Sequence, residues 1–206
     1  MTLAAEAISA QSETLVAARR AMIDSQLRVS GINQDWLLAR FAQVPREDFV
    51  PVEARGHAYI DRAIPVAGPA AGGRAIPAPL VQAMLIAEAA PQGDDRVLVI
   101  SDSGYIAALV EPLVQSVETV DASAAQALQA AGTYSLVLVD GAVEQAPANL
   151  VAAMTDGGRI VAGLAERGVT RLAAGTKNGA AVALAARADV GIPVLREFAA
   201  PKAWSF

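Results

Sequence analysis

The sequence predicts an α/β fold built on a doubly wound, mostly parallel sheet. Three observations carry that reading. Short apolar runs at residues 97–100, 117–120, 134–140 and 158–163 alternate with helix-compatible stretches, the pattern of strand–helix–strand crossovers. The run Tyr134-Ser-Leu-Val-Leu-Val-Asp140 suits a parallel strand buried on both faces. Asp95-Arg-Val-Leu-Val-Ile-Ser-Asp-Ser-Gly-Tyr105 reads as strand, tight turn and helix, the unit whose turn brings a cofactor close to the backbone in nucleotide-binding sheets. Here the turn carries Ser101, Asp102 and Ser103 where such a site would carry glycines, and then only Gly104.

Taken in order, the chain first predicts a helical lobe over residues 1–60. Leu15, Ala18, Met22 and Leu27 follow the helical period over residues 12–28, with Ser12 a candidate N-cap, and Gly31 breaks the helix. A second helix spans residues 35–43, with Asn33 a candidate cap and Pro45 the stop. Pro51 suits the first turn of a short helix reaching Tyr59. Residues 61–79 hold Pro65, Gly68, Pro69, Gly72, Gly73, Pro77 and Pro79, a density that predicts a loop. An α/β core follows over residues 80–206. Its helices are read at residues 80–90, 106–114 (shortened by Pro112), 122–131 and 148–154. Residues 170–174 and 181–185, joined through Lys177-Asn178-Gly179, predict an antiparallel hairpin. The whole is read as one domain.

Composition narrows the function. The 206 residues are 54% hydrophobic and 18% charged, which is globular. A net charge of −5 with no basic stripe argues against nucleic acid as a partner. The absence of cysteine excludes disulfides, thiolate metal sites and thiol catalysis. With a single histidine, His57, no multi-histidine metal site is expected, and no metal is predicted. The first ten residues carry Glu6 and no Lys or Arg, unlike a signal peptide, and no apolar run reaches membrane-spanning length. The expectation is a cytoplasmic protein without membrane contact.

Further along, the order of pieces resembles the protein-L-isoaspartate O-methyltransferase family. The matching strings are Gln26-Leu27-Arg28, Gly31-Ile32, Val44-Pro-Arg-Glu-Asp-Phe-Val-Pro51, Ala58-Tyr-Ile-Asp-Arg62 and Ile64-Pro-Val66. The resemblance runs from about Arg20 to the hairpin. It implies a Rossmann-like class I methyltransferase sheet with a helical N-terminal lobe and a C-terminal hairpin. It also implies methyl transfer from S-adenosylmethionine to isoaspartyl carboxylates in damaged proteins or peptides.

The same comparison marks departures. The family's catalytic loop reads Gly-Gln-Thr-Ile-Ser-Gln-Pro, and the matching stretch is Gly73-Arg-Ala-Ile-Pro-Ala-Pro79. Ala75 and Pro77 replace the hydroxyls, so the candidate catalytic positions are Arg74 and Ile76, with Arg74 able to pair with a carboxylate. The family's cofactor turn reads Glu-Ile-Gly-Thr-Gly-Ser-Gly-Tyr. Here it is one residue shorter, the acid is Val99, and the candidate cofactor contacts are Ser103, Gly104, Tyr105 and Asp121. Asp102 either opposes the cofactor's carboxylate or caps the next helix. Asp121 is placed to bind ribose hydroxyls or to cap a helix, and both can hold. From Asp121 to Tyr134 is 13 steps (134 − 121), too short for the family's third strand. That edge strand is therefore expected to be lost, leaving the second strand as an exposed edge open to a second copy or another protein.

Other candidates have simpler readings. Asp140 ends the best strand, either as a ligand contact or as a strand terminus. His57 is read as a surface or packing residue. Arg46, Glu47 and Asp48 are read as a solvated connector, and Trp36, Phe41 and Phe49 as core. Trp204 and Phe206 close the chain as possible anchors for a partner. The erosion at loop, turn and edge leaves three readings: a divergent isoaspartyl methyltransferase, a pseudoenzyme of that family serving as a binding or scaffold protein, and another enzyme using the same cleft.

Overall fold

The computed structural model describes residues 2–66 and 74–200, with side chains from residue 12 onward. Helix α1 (Thr2–Met22) runs into a π-helical turn, Ile23–Leu27, and a 3₁₀ turn, Arg28–Ser30. Ser12 lies inside α1 and caps nothing. Gly31, at φ +87°, ends the run. Helix α2 (Asp35–Gln43) buries Leu37, Leu38 and Phe41; its N-cap is Gln34, not Asn33. Two further 3₁₀ turns follow, Arg46–Asp48 and Val52–His57, the latter capped by Pro51.

Part of the predicted loop is regular. Strand β1 (Ile64–Pro65) pairs antiparallel with β2 (Ala75–Ile76). Residues 67–73, including Gly68, Pro69, Gly72 and Gly73, lie outside the described residues, as do Trp204 and Phe206. Helix α3 (Pro79–Ala89) opens on Pro79, whose missing N–H costs nothing at a helix N-terminus.

The main sheet then forms from β3 (Arg96–Ile100), β4 (Ser116–Val120), β5 (Tyr134–Val143), β6 (Met154–Glu166), β7 (Val169–Asn178), β8 (Ala181–Val182) and β9 (Ala185–Asp189). Its order is β4-β3-β5-β6-β7, with β8 and β9 both on the far side of β7. The pairs β3–β4, β3–β5 and β5–β6 are parallel; β7 is antiparallel to its neighbours. The predicted hairpin through Asn178-Gly179 is present as β7–β8, with Asn178 opposite Ala181. A larger hairpin precedes it, β6 to β7, with Glu166 opposite Val169. The intervening helices are shorter than predicted: α4 (Tyr105–Val110), α5 (Ala122–Gln126) and α6 (Ala148–Ala153). Pro112 sits in a 3₁₀ turn after α4, because it has no N–H to extend the helix.

Alternation along the central strands divides the core into two layers. Val97, Val99, Leu136 and Leu138 face the helical lobe, α3 and α4. Leu98, Ile100, Val137 and Val139 face α5 and α6. The C-terminal segment lies along β5: Ala142 N–H donates to Pro193 O (2.7 Å) and Leu195 N–H to Ala142 O (2.8 Å). Gly141 permits this, since a Cβ there would stand 2.6 Å from Leu195 Cγ. Strand β4 ends the sheet, and among the described residues nothing pairs with its outer edge. No described helix is long and apolar enough to cross a membrane.

Candidate functional site

Strands β4 and β5 flank β3 on opposite sides, so the chain reverses direction across the sheet there. Doubly wound sheets bind ligands at such a switch point, beyond the carboxyl ends of the strands. Ser101 follows β3 at that place, and Asp140 stands in β5 opposite it. An irregularity in β5 sets Asp140 out of register: Leu138 to Ala142 takes four steps while the paired Val161 to Gly163 takes two.

Asp140 is not open to solvent. Ser101 Oγ donates to its Oδ2 at 2.8 Å, and Gln82 Nε2 donates to both oxygens at 2.9 Å. Gln82, fully buried on α3, accepts in turn from Arg46 Nη1. The Gln82 amide is fixed in orientation by this pairing, its NH₂ towards the acid and its oxygen towards the guanidinium. Arg46, also fully buried, donates through Nε to Ala58 O (2.8 Å) and through Nη2 to Pro77 O (2.7 Å). Its guanidinium lies 5.1 Å from the centre of the Tyr105 ring. One continuous polar chain thus joins the lobe, the loop before α3, α3 itself and the turn. Arg46 belongs to it and not to a solvated connector. Glu47 is buried too, taking hydrogen bonds from Tyr59 and from Arg19 Nη2 (2.9 Å); only Asp48 is exposed.

The turn satisfies itself. Ser101 Oγ accepts the N–H groups of Ser103 (3.3 Å) and Gly104 (3.2 Å), and Ser103 Oγ accepts that of Tyr105 (3.2 Å). The capping expected of Asp102 is supplied by these hydroxyls. Asp102 instead pairs with Arg74, Oδ1 to Nη1 at 3.1 Å. Gly104 takes φ +73°, a conformation that disfavours a side chain. Nothing lies within 4 Å of where its Cβ would be. Asp121 caps α5, accepting from Ala124 N–H at 2.8 Å, and is otherwise exposed.

The candidate residues therefore separate. Arg74, Ser103 and Gly104 gather at the turn, and Asp121 stands at the end of neighbouring β4. Ile76 is core, 1% exposed and paired with Ile64. Tyr105 is buried among Phe41, Phe49 and Arg46, with its hydroxyl unpartnered among the described residues. His57 is on the surface, and Trp36 is 38% exposed while Phe41 is buried. A cleft of about 300 Å³ on the α5–α6 face, lined by Gln126, Asn149 and Phe198, includes none of the turn residues.

Burial pushes Asp140 up to about 6, against the pull of Gln82, Ser101 and Arg46. A carboxyl raised above its ordinary 3.8 stabilises the fold when protonated. That contribution is present below about 3.8 and is lost as pH rises through about 6. Denaturation at a series of pH values is expected to show Asp140→Asn gaining stability relative to the unaltered chain across this window, by roughly 3 kcal/mol in all. A pH-independent difference between the two chains overturns this.

Comparison with known proteins fixes the relationship. The family model described as protein-L-isoaspartate(D-aspartate) O-methyltransferase matches residues 17–129, more than half of the chain. The chain belongs to that family. Among relatives, a protein-L-isoaspartate O-methyltransferase of Roseiflexus castenholzii is 40% identical over 114 residues, covering 55% of this chain and half of the relative. One from Herpetosiphon aurantiacus is 31% identical over 170 residues, covering 70% and 74%. The fold agrees. A Plasmodium falciparum chain described as this methyltransferase, solved with S-adenosyl-L-homocysteine, superposes at a TM-score of 0.65 with 15% identity, over 87% of this chain and 98% of that one.

In this isoaspartate methyltransferase family member the matched region includes both the loop before α3 and the turn after β3. The residues that sequence reasoning missed, Gln82 and the inward role of Arg46, connect the two. Gln82, polar among the apolar residues of the first turns of helix Pro79–Ala89, was the available signal, since a buried amide requires partners.

Proposed function

We propose that the chain transfers a methyl group from S-adenosylmethionine to isoaspartyl carboxylates of damaged proteins or peptides, with low activity. The observation that carries this reading is Arg74: its guanidinium already holds a carboxylate, that of Asp102, at 3.1 Å beside the turn. The cofactor would supply an electrophilic methyl on a sulfonium. A substrate carboxylate oxygen would take that methyl as the carbon–sulfur electron pair leaves on sulfur, with no proton to be moved. Orientation is thus the main task of the protein. Arg74 orients the carboxylate, replacing the hydroxyls absent at Ala75 and Pro77. Asp121 has one carboxylate oxygen outside its capping bond for ribose hydroxyls. Gly104 leaves the turn open at its last position. The fit is incomplete at Ser101 and Ser103, whose hydroxyls take the N–H groups a cofactor would use. Low affinity and slow turnover follow.

A methyl-transfer assay on an isoaspartyl peptide tests this. Transfer above background is expected, reduced about tenfold or more in Asp121→Ala through loss of charge-assisted hydrogen bonds. No transfer at saturating cofactor and peptide would sink it.

The open edge of β4 favours a second reading, a catalytically silent binding or scaffold protein. Its Ser116, Glu118 and Thr119 are exposed and its outer backbone groups are unpaired among the described residues, a template for pairing with a second copy or another chain. On that reading a cofactor titration gives no heat, and light scattering gives a mass above the monomer.

A further inference from the structure

Arg74 and Asp102 come from separate, independently fixed parts of the fold. Arg74 precedes β2, which is held by its pairing with β1 and, through Pro77 O, by buried Arg46. Asp102 lies in a turn anchored by the Ser101–Asp140 hydrogen bond. Their side chains meet through one contact, Nη1 to Oδ1 at 3.1 Å, and among the described residues neither forms another ion pair or hydrogen bond. The pair is thus a single-point contact and not the bidentate fork that gives arginine–carboxylate pairs their strength. The Arg74 side chain is 33% exposed against 12% for Asp102. An arriving carboxylate reaches the arginine more readily than the acid already on it.

We propose that Asp102 is an internal competitor for Arg74, so that a substrate carboxylate binds by displacing it, and that Asp102 thereby sets the affinity of the chain for its substrate. This rests on the methyl-transfer reading for the identity of the carboxylate. Displacement has two costs: Arg74 exchanges one anion for another, gaining only the difference, and Asp102 is left close to the incoming charge. A neutral side chain at position 102 removes both. Asp102 is accordingly a specificity-determining residue that acts through Arg74, and it takes no part in bond making.

The test is a calorimetric titration of the whole chain with an isoaspartyl peptide, using Asp102→Asn, Arg74→Gln and the double variant. Neither side chain is in the core, and Asp102→Ala is a second version should the amide find a new partner. Asp102→Asn is expected to tighten peptide binding about tenfold, the scale of one charge-assisted hydrogen bond. The gain is expected to vanish in the double variant, since it passes through Arg74. Where turnover is measurable, KM falls and kcat changes little. Unchanged affinity in both Asp102 variants overturns the proposal. So does a gain that persists without Arg74, which would assign the effect to the charge of Asp102 itself and not to competition for the arginine. Methyl transfer by the unaltered chain, followed in parallel, decides the proposed function separately. Tighter, Arg74-dependent binding without any transfer keeps the competition and rejects the enzyme. Transfer without tightening keeps the enzyme and rejects the competition.

Discussion

Replacing Arg46 with methionine is expected to destabilise the protein by about 3–5 kcal/mol, the usual cost of leaving a buried charge without its partner. Arg46 is fully buried and its loss strands several groups at once. Ala58 O and Pro77 O lose their donors, Gln82 loses the donor that orients it, and Asp140 keeps a carboxylate with no cation near it. Methionine fills much of the volume but donates nothing, so the loss measures the polar network and not a cavity. Arg46→Lys is expected to fall between the two, because it keeps the charge and cannot serve three acceptors in one plane. Urea denaturation of the three chains at neutral pH measures the order. A loss below about 1 kcal/mol for the methionine variant, the scale of a surface ion pair, would show that the network adds nothing to stability.

The second large effect concerns the turn. S-adenosylmethionine is expected to bind more weakly than the low-micromolar range, because three N–H groups of the turn are already bonded to Ser101 and Ser103 hydroxyls. A ligand gains only the difference between its own bonds and these, and a net hydrogen bond amounts to roughly 0.5–1.5 kcal/mol. Asp102 adds a negative charge at the same place. Asp102→Gly combined with Ser103→Gly is therefore expected to tighten cofactor binding by about tenfold or more. Low-micromolar affinity of the unaltered chain in calorimetry would contradict the self-satisfied turn. Tight binding would also weigh against the silent-scaffold reading.

How much of this was legible in the sequence depended on the range of the interaction. Strands β3 and β5 were plain because Val97 to Ile100 and Leu136 to Val139 are buried on both faces, which leaves an uninterrupted apolar run. The open edge at β4 followed from arithmetic, since 13 steps from Asp121 to Tyr134 cannot hold another strand and its crossover. Helix α5 was overextended because alanines over residues 122–131 have high helical propensity, while its real end is set by how little of it packs on the sheet. The hairpin from β6 to β7 was missed although Glu166-Arg167-Gly168 separates the two runs, because a break of this kind does not say that the runs on either side pair with each other. In the site, Arg74, Gly104 and Asp121 were picked out as candidates from local strings. The chain Arg46–Gln82–Asp140–Ser101 was not, because its links join residues 36, 58 and 39 positions apart, and no local pattern encodes such contacts.

The segment that lies along β5 bears on where the chain can be cut or extended. Leu195 fills the space above Gly141, Ile192 stands against Gly163, and Phe198 completes the layer under α5 and α6. Without this segment the carboxyl half of β5 loses the partner that Ala142 bonds to, and Val143 and Leu150 lose part of their apolar cover. A fusion or tag at this end has to begin beyond Ala200, whose N–H is held by Glu144 at 2.7 Å.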